Sequence, residues 1–135
     1  MARLYEIIPD KLYTSGHPNS TPPVDVIVCL SKKPTDSEIR GQVKEWVYAP
    51  IPDSFTELDE SVILNLVERV RRRLRRGGRV LLHCLAGRNR SSFVAALVYL
   101  KETGCSGEEA FQHLRKIRAN CLYNPVFEKY LRSMV

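Results

Sequence analysis

The stretch Arg79–Ser92 reads RVLLHCLAGRNRSS and predicts a buried strand, a short polar loop and the start of a helix. Its apolar part, Val80–Cys84, has the length and composition of a strand at the centre of a sheet. Gly87 gives the loop backbone freedom, and the chain becomes apolar and helical after Ser91. A strand, a loop and a helix N-terminus in this order predict an anion site, because backbone N–H groups and the helix dipole converge there.

Two side chains give this predicted anion site a chemistry. Cys84 ends the strand, and five residues separate it from Arg90. A loop of this length can curl until the thiol and the guanidinium face one tetrahedral oxyanion. The guanidinium would bind two oxygens as a planar fork, and the thiol would attack phosphorus in line. We expect the helix N-terminus, the loop N–H groups and Arg90 to favour the thiolate, with a hydrogen bond from the Ser91 hydroxyl.

The chain resembles the signature of cysteine-based protein phosphatases in the order His83, Cys84, five residues, Arg90 and Ser91. Less specific similarity to small atypical (archaeal-type) dual-specificity phosphatases extends over nearly the whole chain. The resemblance implies that His83 orients the loop and the cysteine without contacting substrate. It also implies that the loop binds the substrate phosphate through Leu85, Ala86, Gly87, Arg88, Asn89 and Arg90.

The leaving oxygen of a phosphate ester needs a proton, which requires a carboxylic acid on a nearby loop. Asp53 follows a predicted strand at Glu45–Pro52, which we expect to neighbour the central strand. The triplet Ile-Pro-Asp at 51–53 resembles the general-acid loop of the same small phosphatases. Asp59 is the second candidate, although a carboxylate there would also stabilise the first turn of a helix. Asp36, in a polar loop, is the third.

The resemblance implies a two-step reaction on phosphotyrosine, and also on phosphoserine or phosphothreonine, in proteins. Cys84 attacks phosphorus while Asp53 protonates the leaving oxygen, and water activated by Asp53 then hydrolyses the phosphocysteine. The short chain predicts low pocket walls, which favour dual specificity or an easily accessible phosphotyrosine over deep tyrosine selectivity. We expect no metal or other cofactor, because the cysteines and histidines show no ligand spacing.

Four other functions use a similar loop. RNA 5′-triphosphatases also carry an asparagine before the signature arginine, as Asn89 is here, but generally lack the aspartic acid. Phosphoinositide phosphatases favour lysines in the loop, whereas in the loop of this chain only Arg88 adds charge. A sulfurtransferase fits His83 and Ser91 less well than a phosphatase. A phosphate-binding pseudophosphatase usually loses the cysteine, the arginine or the acid, and all three are present.

The order of the predicted elements indicates an α/β fold. We predict strands within Tyr5–Gly16, at Val24–Leu30 and at 45–52, and helices at about Glu57–Arg76, Ser91–Glu102, from Ser106 to about Ala119, and from Asn124 to the C-terminus. They predict one phosphatase domain over residues 1–135, with a central, mostly parallel twisted sheet flanked by helices, as in dual-specificity phosphatases.

The chain carries a net charge of +6, which suggests acidic partners such as phosphorylated proteins. Six arginines lie in the last turns of the predicted 57–76 helix. We favour a solvated helix face over a nucleic-acid surface, because no aromatic side chains interleave with them. His17, in a proline-rich loop, is expected to be solvated.

The chain lacks a signal-peptide pattern and has no apolar run near the ~20 residues that span a bilayer. We therefore predict a cytoplasmic monomer that is not inserted into a membrane. The four cysteines are expected to be reduced there. Cys29 ends a strand that should neighbour the Cys84 strand, so a regulatory Cys29–Cys84 disulfide is one hypothesis and a buried core cysteine the other.

Overall fold

The computed structural model describes residues 3–54 and 56–134, and its strands form a single sheet. The strands in those residues are β1 Tyr5–Ile8, β2 Leu12–Ser15, β3 Val26–Cys29, β4 Glu45–Tyr48 and β5 Val80–His83. Their order across the sheet is β1-β2-β5-β3-β4. Only the β1–β2 pair is antiparallel, and the pairs β2–β5, β5–β3 and β3–β4 are parallel. The predicted α/β fold with a mostly parallel sheet is therefore confirmed.

The helices in the described residues are α1 Ser37–Arg40, α2 Glu60–Arg75, α3 Arg90–Thr103, α4 Gly107–Ile117 and α5 Pro125–Arg132. Three of them, α2, α4 and α5, begin at a residue whose side chain caps the helix. Ser106 and Glu109, three residues apart in the sequence, form a capping box at the start of α4. The Asn124 side chain accepts from the first backbone N–H groups of α5. The start of α2 differs from the prediction because Asp59 caps it, accepting from Val62 N at 3.3 Å.

The core lies where α3 crosses the sheet between α2 and α4. Nearly every face of α3 is buried, as its continuous apolar run predicts. Phe93 of α3 stacks on Phe127 of α5 with ring centroids 4.4 Å apart. The buried stripe of α2 consists of Ile63, Leu66, Val67, Val70 and Leu74. The helical spacing of the apolar residues in the sequence predicts Val62 in this stripe as well, but Val62 lies in the first turn of α2 and is 49% exposed.

The strand β5 occupies the centre of the sheet, as predicted, but β4 is not its neighbour. The strand β3 lies between them. The chain beyond β4 continues alongside β3, because Ala49 N donates to Cys29 O and Ile51 N donates to Leu30 O. Asp53 therefore approaches the end of β5 from two strands away, which corrects the expectation of a neighbouring strand.

The arginine-rich end of α2 is partly neutralised within the fold. Arg71 pairs with Glu68 and with Glu102 of α3, and Arg73 pairs with Glu45 of β4. The Arg73 guanidinium lowers the pKa of the Glu45 carboxyl below its usual value. These contacts fasten α2 to the sheet and to α3. None of the helices in the described residues is long and apolar enough to cross a membrane.

Candidate active site

The segment Cys84–Arg90, here called the Cys84 loop, wraps around the Cys84 sulfur between β5 and α3. Gly87 N donates to the Cys84 sulfur at 3.2 Å. The Ser91 hydroxyl lies 3.5 Å from the same sulfur. Cys84 is only 2% exposed. A backbone N–H and the N-terminus of α3 both direct positive charge at the sulfur.

Arg90 begins α3 and brings a cation to the same place. Its Nε atom is buried and has no hydrogen-bond partner among the described residues. A buried guanidinium donor without a protein partner is unfavourable unless an anion binds there. The combination of Arg90 with the N-terminus of α3 is therefore suited to a phosphate group.

The Cys84 loop packs tightly against the end of β2. His17 N donates to Leu85 O at 3.0 Å, and Cys84 N approaches Ser15 O at 3.4 Å. Gly87 has a φ of +68°, and a Cβ placed on it would lie 2.5 Å from the Ser15 carbonyl carbon. Only glycine combines this left-handed conformation with so close a backbone contact. The loop shape is therefore fixed by backbone packing.

His83 supports the loop from the opposite face of β5. Its Nε2 atom lies 2.7 Å from the Thr35 hydroxyl, which also accepts from Trp46 Nε1 at 2.9 Å. Burial of the ring lowers the pKa of His83 to about 4, so the imidazole is neutral at physiological pH. The His83 ring also packs edge-on against His17, with centroids 5.5 Å apart. These contacts fit an orienting role, because they fasten the side chain to the protein.

Asp53 lies against the Cys84 loop and is held by two amide side chains. Asn124 Nδ2 donates to Asp53 Oδ1 at 2.6 Å, and Asn89 Nδ2 donates to Asp53 Oδ2 at 3.2 Å. Asn124 Nδ2 also donates to Ser54 O at 3.0 Å. The segment Pro50–Ser54, here called the Asp53 loop, is thus joined both to the Cys84 loop and to the start of α5.

The two asparagines are themselves fixed by the backbone. Asn89 is 3% exposed, and its Oδ1 atom accepts from Tyr123 N and Asn124 N at 3.0 and 3.1 Å. Asn124 is fully buried, and its Oδ1 atom accepts from the N-terminal backbone of α5. Each amide therefore uses its oxygen for the fold and presents its nitrogen to Asp53.

Sequence reasoning missed the contacts of Asn89 and Asn124 with Asp53, and the contact of Thr35 with His83. The sequence indicates Asn124 only as the start of a helix, and a helix cap uses only the amide oxygen. The amide nitrogen of such a residue still offers two donors, which is the signal that was available. For Thr35 the sequence offered no signal, because its contact spans 48 positions of the chain.

The other predicted site residues lie around this centre. Leu85, Ala86 and Arg88 are exposed on the Cys84 loop, whereas Gly87 is buried in it. Of the alternative acids, Asp59 caps α2 and Asp36 lies 3.4 Å from His17 Nε2. The His17 side chain is only 17% exposed, so the expectation that it is solvated is wrong.

The sulfur atoms of Cys29 and Cys84 contact different groups. Cys29 Sγ contacts the backbone carbonyls of Ser31 and Lys33, whereas Cys84 Sγ contacts Gly87 N. Cys29 pairs with His83 across β3 and β5, so it shares the sheet face of His83. This placement fits the hypothesis that Cys29 is a buried core cysteine better than the hypothesis of a Cys29–Cys84 disulfide. No group of three His, Cys, Asp or Glu side chains in the described residues is arranged to hold a metal ion.

A scan against protein families matches residues 18–134 to the dual specificity phosphatase catalytic domain. The chain belongs to that family. Its fold is also similar to crystal structures of human DUSP28 in a single-residue variant, of Tk-PTP in its active form, and of the human tyrosine phosphatase-like serine/threonine/tyrosine-interacting protein. The search of curated proteins gave no match.

These three structures resemble the whole chain at low sequence identity. The DUSP28 variant has a TM-score of 0.81 and 22% identity, covering 96% of this chain and 92% of that one. Tk-PTP has a TM-score of 0.79 and 22% identity, covering 98% and 97%. The human interacting protein has a TM-score of 0.80 and 20% identity, covering 96% and 93%. At these identities the similarity establishes the fold.

Proposed function

We propose that this protein hydrolyses phosphate monoesters of tyrosine, and of serine or threonine, in phosphorylated proteins through a phosphocysteine intermediate. The observation that carries the proposal is the Cys84 sulfur, which accepts from Gly87 N at 3.2 Å beside the helix N-terminus that begins with Arg90. Membership of the dual specificity phosphatase family supports it. Action as a monomer in the cytoplasm, where cysteines stay reduced, remains a prediction.

In the first step the Cys84 thiolate attacks phosphorus in line with the leaving oxygen. The Arg90 guanidinium and the N–H groups of the Cys84 loop stabilise the equatorial phosphate oxygens as charge redistributes. Asp53 donates a proton to the leaving oxygen. Its Oδ2 atom is the better proton carrier, because the contact to Asn89 is 3.2 Å long and that from Asn124 to Oδ1 is 2.6 Å.

In the second step water cleaves the phosphocysteine. Asp53, now a carboxylate, accepts a proton from the attacking water. The sulfur leaves as a thiolate, stabilised by Gly87 N and by the Ser91 hydroxyl 3.5 Å away. The same contacts that activate the nucleophile therefore also make it a good leaving group.

The environment of Asn89 favours this function over an RNA 5′-triphosphatase. An asparagine before the signature arginine is what suggested the triphosphatase. Here its side-chain nitrogen donates to Asp53 and its oxygen accepts from the 123–124 backbone, so the fold fixes the amide and the amide holds a carboxylic acid. A phosphate-binding module without catalysis would have no use for that acid.

The proposal is tested by the hydrolysis of an aryl phosphate in the presence of a chelator. We expect Cys84→Ser to abolish turnover, because a serine hydroxyl does not ionise to a nucleophilic anion at neutral pH. Cys105→Ser is the matched control, since Cys105 is a free, half-buried cysteine in the turn before α4. It should keep the wild-type rate. Normal turnover by Cys84→Ser would contradict the proposal.

The intermediate is tested separately by rapid quenching with a radiolabelled phosphotyrosine peptide. Wild-type protein should carry a transient label at Cys84. With a radiolabelled nitrophenyl phosphate, whose leaving group needs little proton donation, Asp53→Asn should accumulate the label, because the base for the second step is lost. Absence of label in both proteins, despite turnover, would contradict the phosphocysteine mechanism.

A further inference from the structure

Two surface cavities lie between α2 and the two ends of β4, and together they are here called the α2–β4 groove. The first measures about 340 Å³ and is lined by residues from the segments 49–51 and 61–69. The second measures about 480 Å³ and is lined from the segments 25–26, 44–45 and 73–78. The groove therefore accompanies β4 from one end to the other, away from the Cys84 sulfur.

The strand β4 forms one edge of the sheet and has no strand on its outer side among the described residues. Glu45 N and Ala49 N donate to backbone carbonyls at the two ends of β3. The alternation of a strand then turns the N–H and C=O groups of Trp46 and Tyr48 towards the free edge. Such a row of backbone groups can bind another extended chain as an added strand.

Three arginines of α2 surround the β4 side of the groove at Glu45. Arg73 forms an ion pair with Glu45, whereas neither Arg69 nor Arg76 is paired with a carboxylate among the described residues. The hydrogen bond from Arg73 and the positive charges of all three arginines lower the pKa of the Glu45 carboxyl. The fold thus leaves two guanidinium groups beside the free edge without an acidic partner.

The other face of β4 presents aromatic rings. Trp46 and Tyr48 are stacked with centroids 5.5 Å apart and an interplanar angle of 19°, and Tyr48 is 43% exposed. The Arg40 Cζ atom lies 4.6 Å from the Trp46 ring centroid. A strand added to β4 would therefore meet guanidinium groups with one set of alternate side chains and aromatic rings with the other.

The charges in the groove favour a peptide over a nucleic acid or a second copy of this chain. The carboxylates of Asp25 and Glu45 lie in the second cavity, with Lys44 Nζ 3.5 Å from Asp25. A phosphate backbone would bring a negative charge to them at every unit, whereas a peptide can place its acids opposite Arg69 and Arg76 alone. Pairing of β4 with its own copy would bring like charges together.

We propose that the α2–β4 groove docks an extended segment of a partner protein in which acidic and apolar residues alternate, and that this segment pairs with β4 as an added strand. Its acidic side chains contact Arg69 and Arg76. Its apolar side chains pack on the rings of Trp46 and Tyr48. The interaction uses no catalytic group of the proposed phosphatase, so it stands or falls independently of that function.

The test titrates isotope-labelled protein with a blocked peptide, about nine residues long, in which glutamate alternates with valine. We expect the NMR signals of the Trp46 and Tyr48 amides to shift on binding. A peptide of the same composition with its glutamates in one block, and an alternating peptide with lysine for glutamate, should each bind at least about 10-fold more weakly. Equal affinity for the three peptides would overturn the proposal.

Methylation of alternate peptide nitrogens tests strand addition without changing the protein. Only every second N–H of an added strand faces β4. Methylation of that set should weaken binding by at least about 10-fold, because its hydrogen bonds to β4 are lost. Methylation of the other set should preserve the affinity. Similar losses from both sets would overturn pairing with β4.

Arg69→Gln and Arg76→Gln are the deciding variants. Each should weaken binding of the alternating peptide by about 3-fold, and the double variant by about 10-fold. Arg75→Gln is the matched control, because it removes the same charge from an exposed position of α2 that lines neither cavity. It should preserve the affinity. An equal loss in all three single variants would overturn docking in the groove in favour of a general charge effect.

The same measurements distinguish the other occupants. A single-stranded RNA that shifts the Trp46 and Tyr48 signals at lower concentration than the peptide would overturn the peptide assignment. A dimer of the free protein, detected by sedimentation, that protects these amides and excludes the peptide would assign the groove to a second copy and also overturn it. Wild-type affinity in the Cys84→Ser protein supports the groove whether or not any phosphate ester is hydrolysed.

Discussion

The Cys84 loop and the Asp53 loop meet at one site but are held in place by different means. The Cys84 loop is fixed mainly by backbone contacts, which include His17 N to Leu85 O and Leu122 N to Arg88 O. The Asp53 loop loses its backbone contacts to β3 after Ile51 and is then held through the amides of Asn89 and Asn124. Its aspartate is exposed, whereas Cys84 is buried.

This difference corresponds to the demands of the two chemical roles. A nucleophile and its phosphate cradle need a rigid arrangement, because stabilisation of transition-state charge depends on pre-positioned donors. A residue that gives up a proton and later accepts one must exchange hydrogen bonds during the reaction. Two side-chain contacts hold such a residue and can still be released one at a time.

Rigidity of the Cys84 loop is probed by Gly87→Ala, for which we expect the largest effect. The new Cβ would lie within 2.6 Å of Ser15 and Gly16 backbone atoms, so the loop must shift. We expect a loss of activity on the order of 10³-fold with every substrate. Steady-state kinetics with an aryl phosphate measures it.

Gly104→Ala is the control for this prediction. Gly104 also has a positive φ, of +75°, but a Cβ there meets nothing within 4 Å. It should cost about 1 kcal/mol of stability and leave the turnover rate unchanged. If Gly87→Ala stays active, backbone packing does not set the geometry of the Cys84 loop.

Asp53→Ala is expected to have the next largest effect, which depends on the leaving group. Turnover of phosphates with poor leaving groups should fall by about 10²-fold, because these need the proton most. A nitrophenyl phosphate should be affected less, and binding of substrate to a Cys84→Ser background should survive. A series of aryl phosphates with graded leaving groups measures the dependence.

Asp59→Ala is the matched control for the acid. Asp59 caps α2, so its loss should lower the free energy of unfolding by about 1 kcal/mol without changing the leaving-group dependence. The reverse result, in which Asp59→Ala alone makes turnover depend on the leaving group, would mean that the acid is misassigned.

Asn124→Ser is expected to have the smallest effect of the three. Serine still caps α5, but it has no amide nitrogen to donate to Asp53. We expect kcat to fall about 5- to 10-fold for poor leaving groups, with KM nearly unchanged. In an Asp53→Ala background the same substitution should have no further effect on kcat. A full effect in that background would show that Asn124 does not act through Asp53.

The sequence was a good guide wherever a feature is local. The capping box at Ser106 and Glu109, the Asn124 cap and the apolar run of α3 all specify structure within a few residues, and the structure contains them. The central position of β5 followed from its apolar run. The start of α2 was misplaced because Asp59 was weighed mainly as an acid, although its helix-stabilising role was recognised.

The sequence was a poor guide to contacts between distant parts of the chain. Asn124 and Asp53 are 71 positions apart, and Thr35 and His83 are 48 apart. The amide nitrogen of Asn124 is a free donor in the local pattern, but nothing in the sequence indicates which acceptor it contacts. The position of β4, separated from β5 by β3, is likewise a matter of sheet topology and not of strand composition.

The sequence by itself determined the composition of the Cys84 loop: a thiol, a glycine and an arginine at the start of a helix, all within seven residues. Tertiary structure alone decided which backbone contacts hold that loop and how Asp53 reaches it. The physical reason is the range of the interactions. Backbone geometry and helix dipoles act between near neighbours in the chain, whereas side-chain amides and guanidinium groups meet only after the sheet and helices have packed.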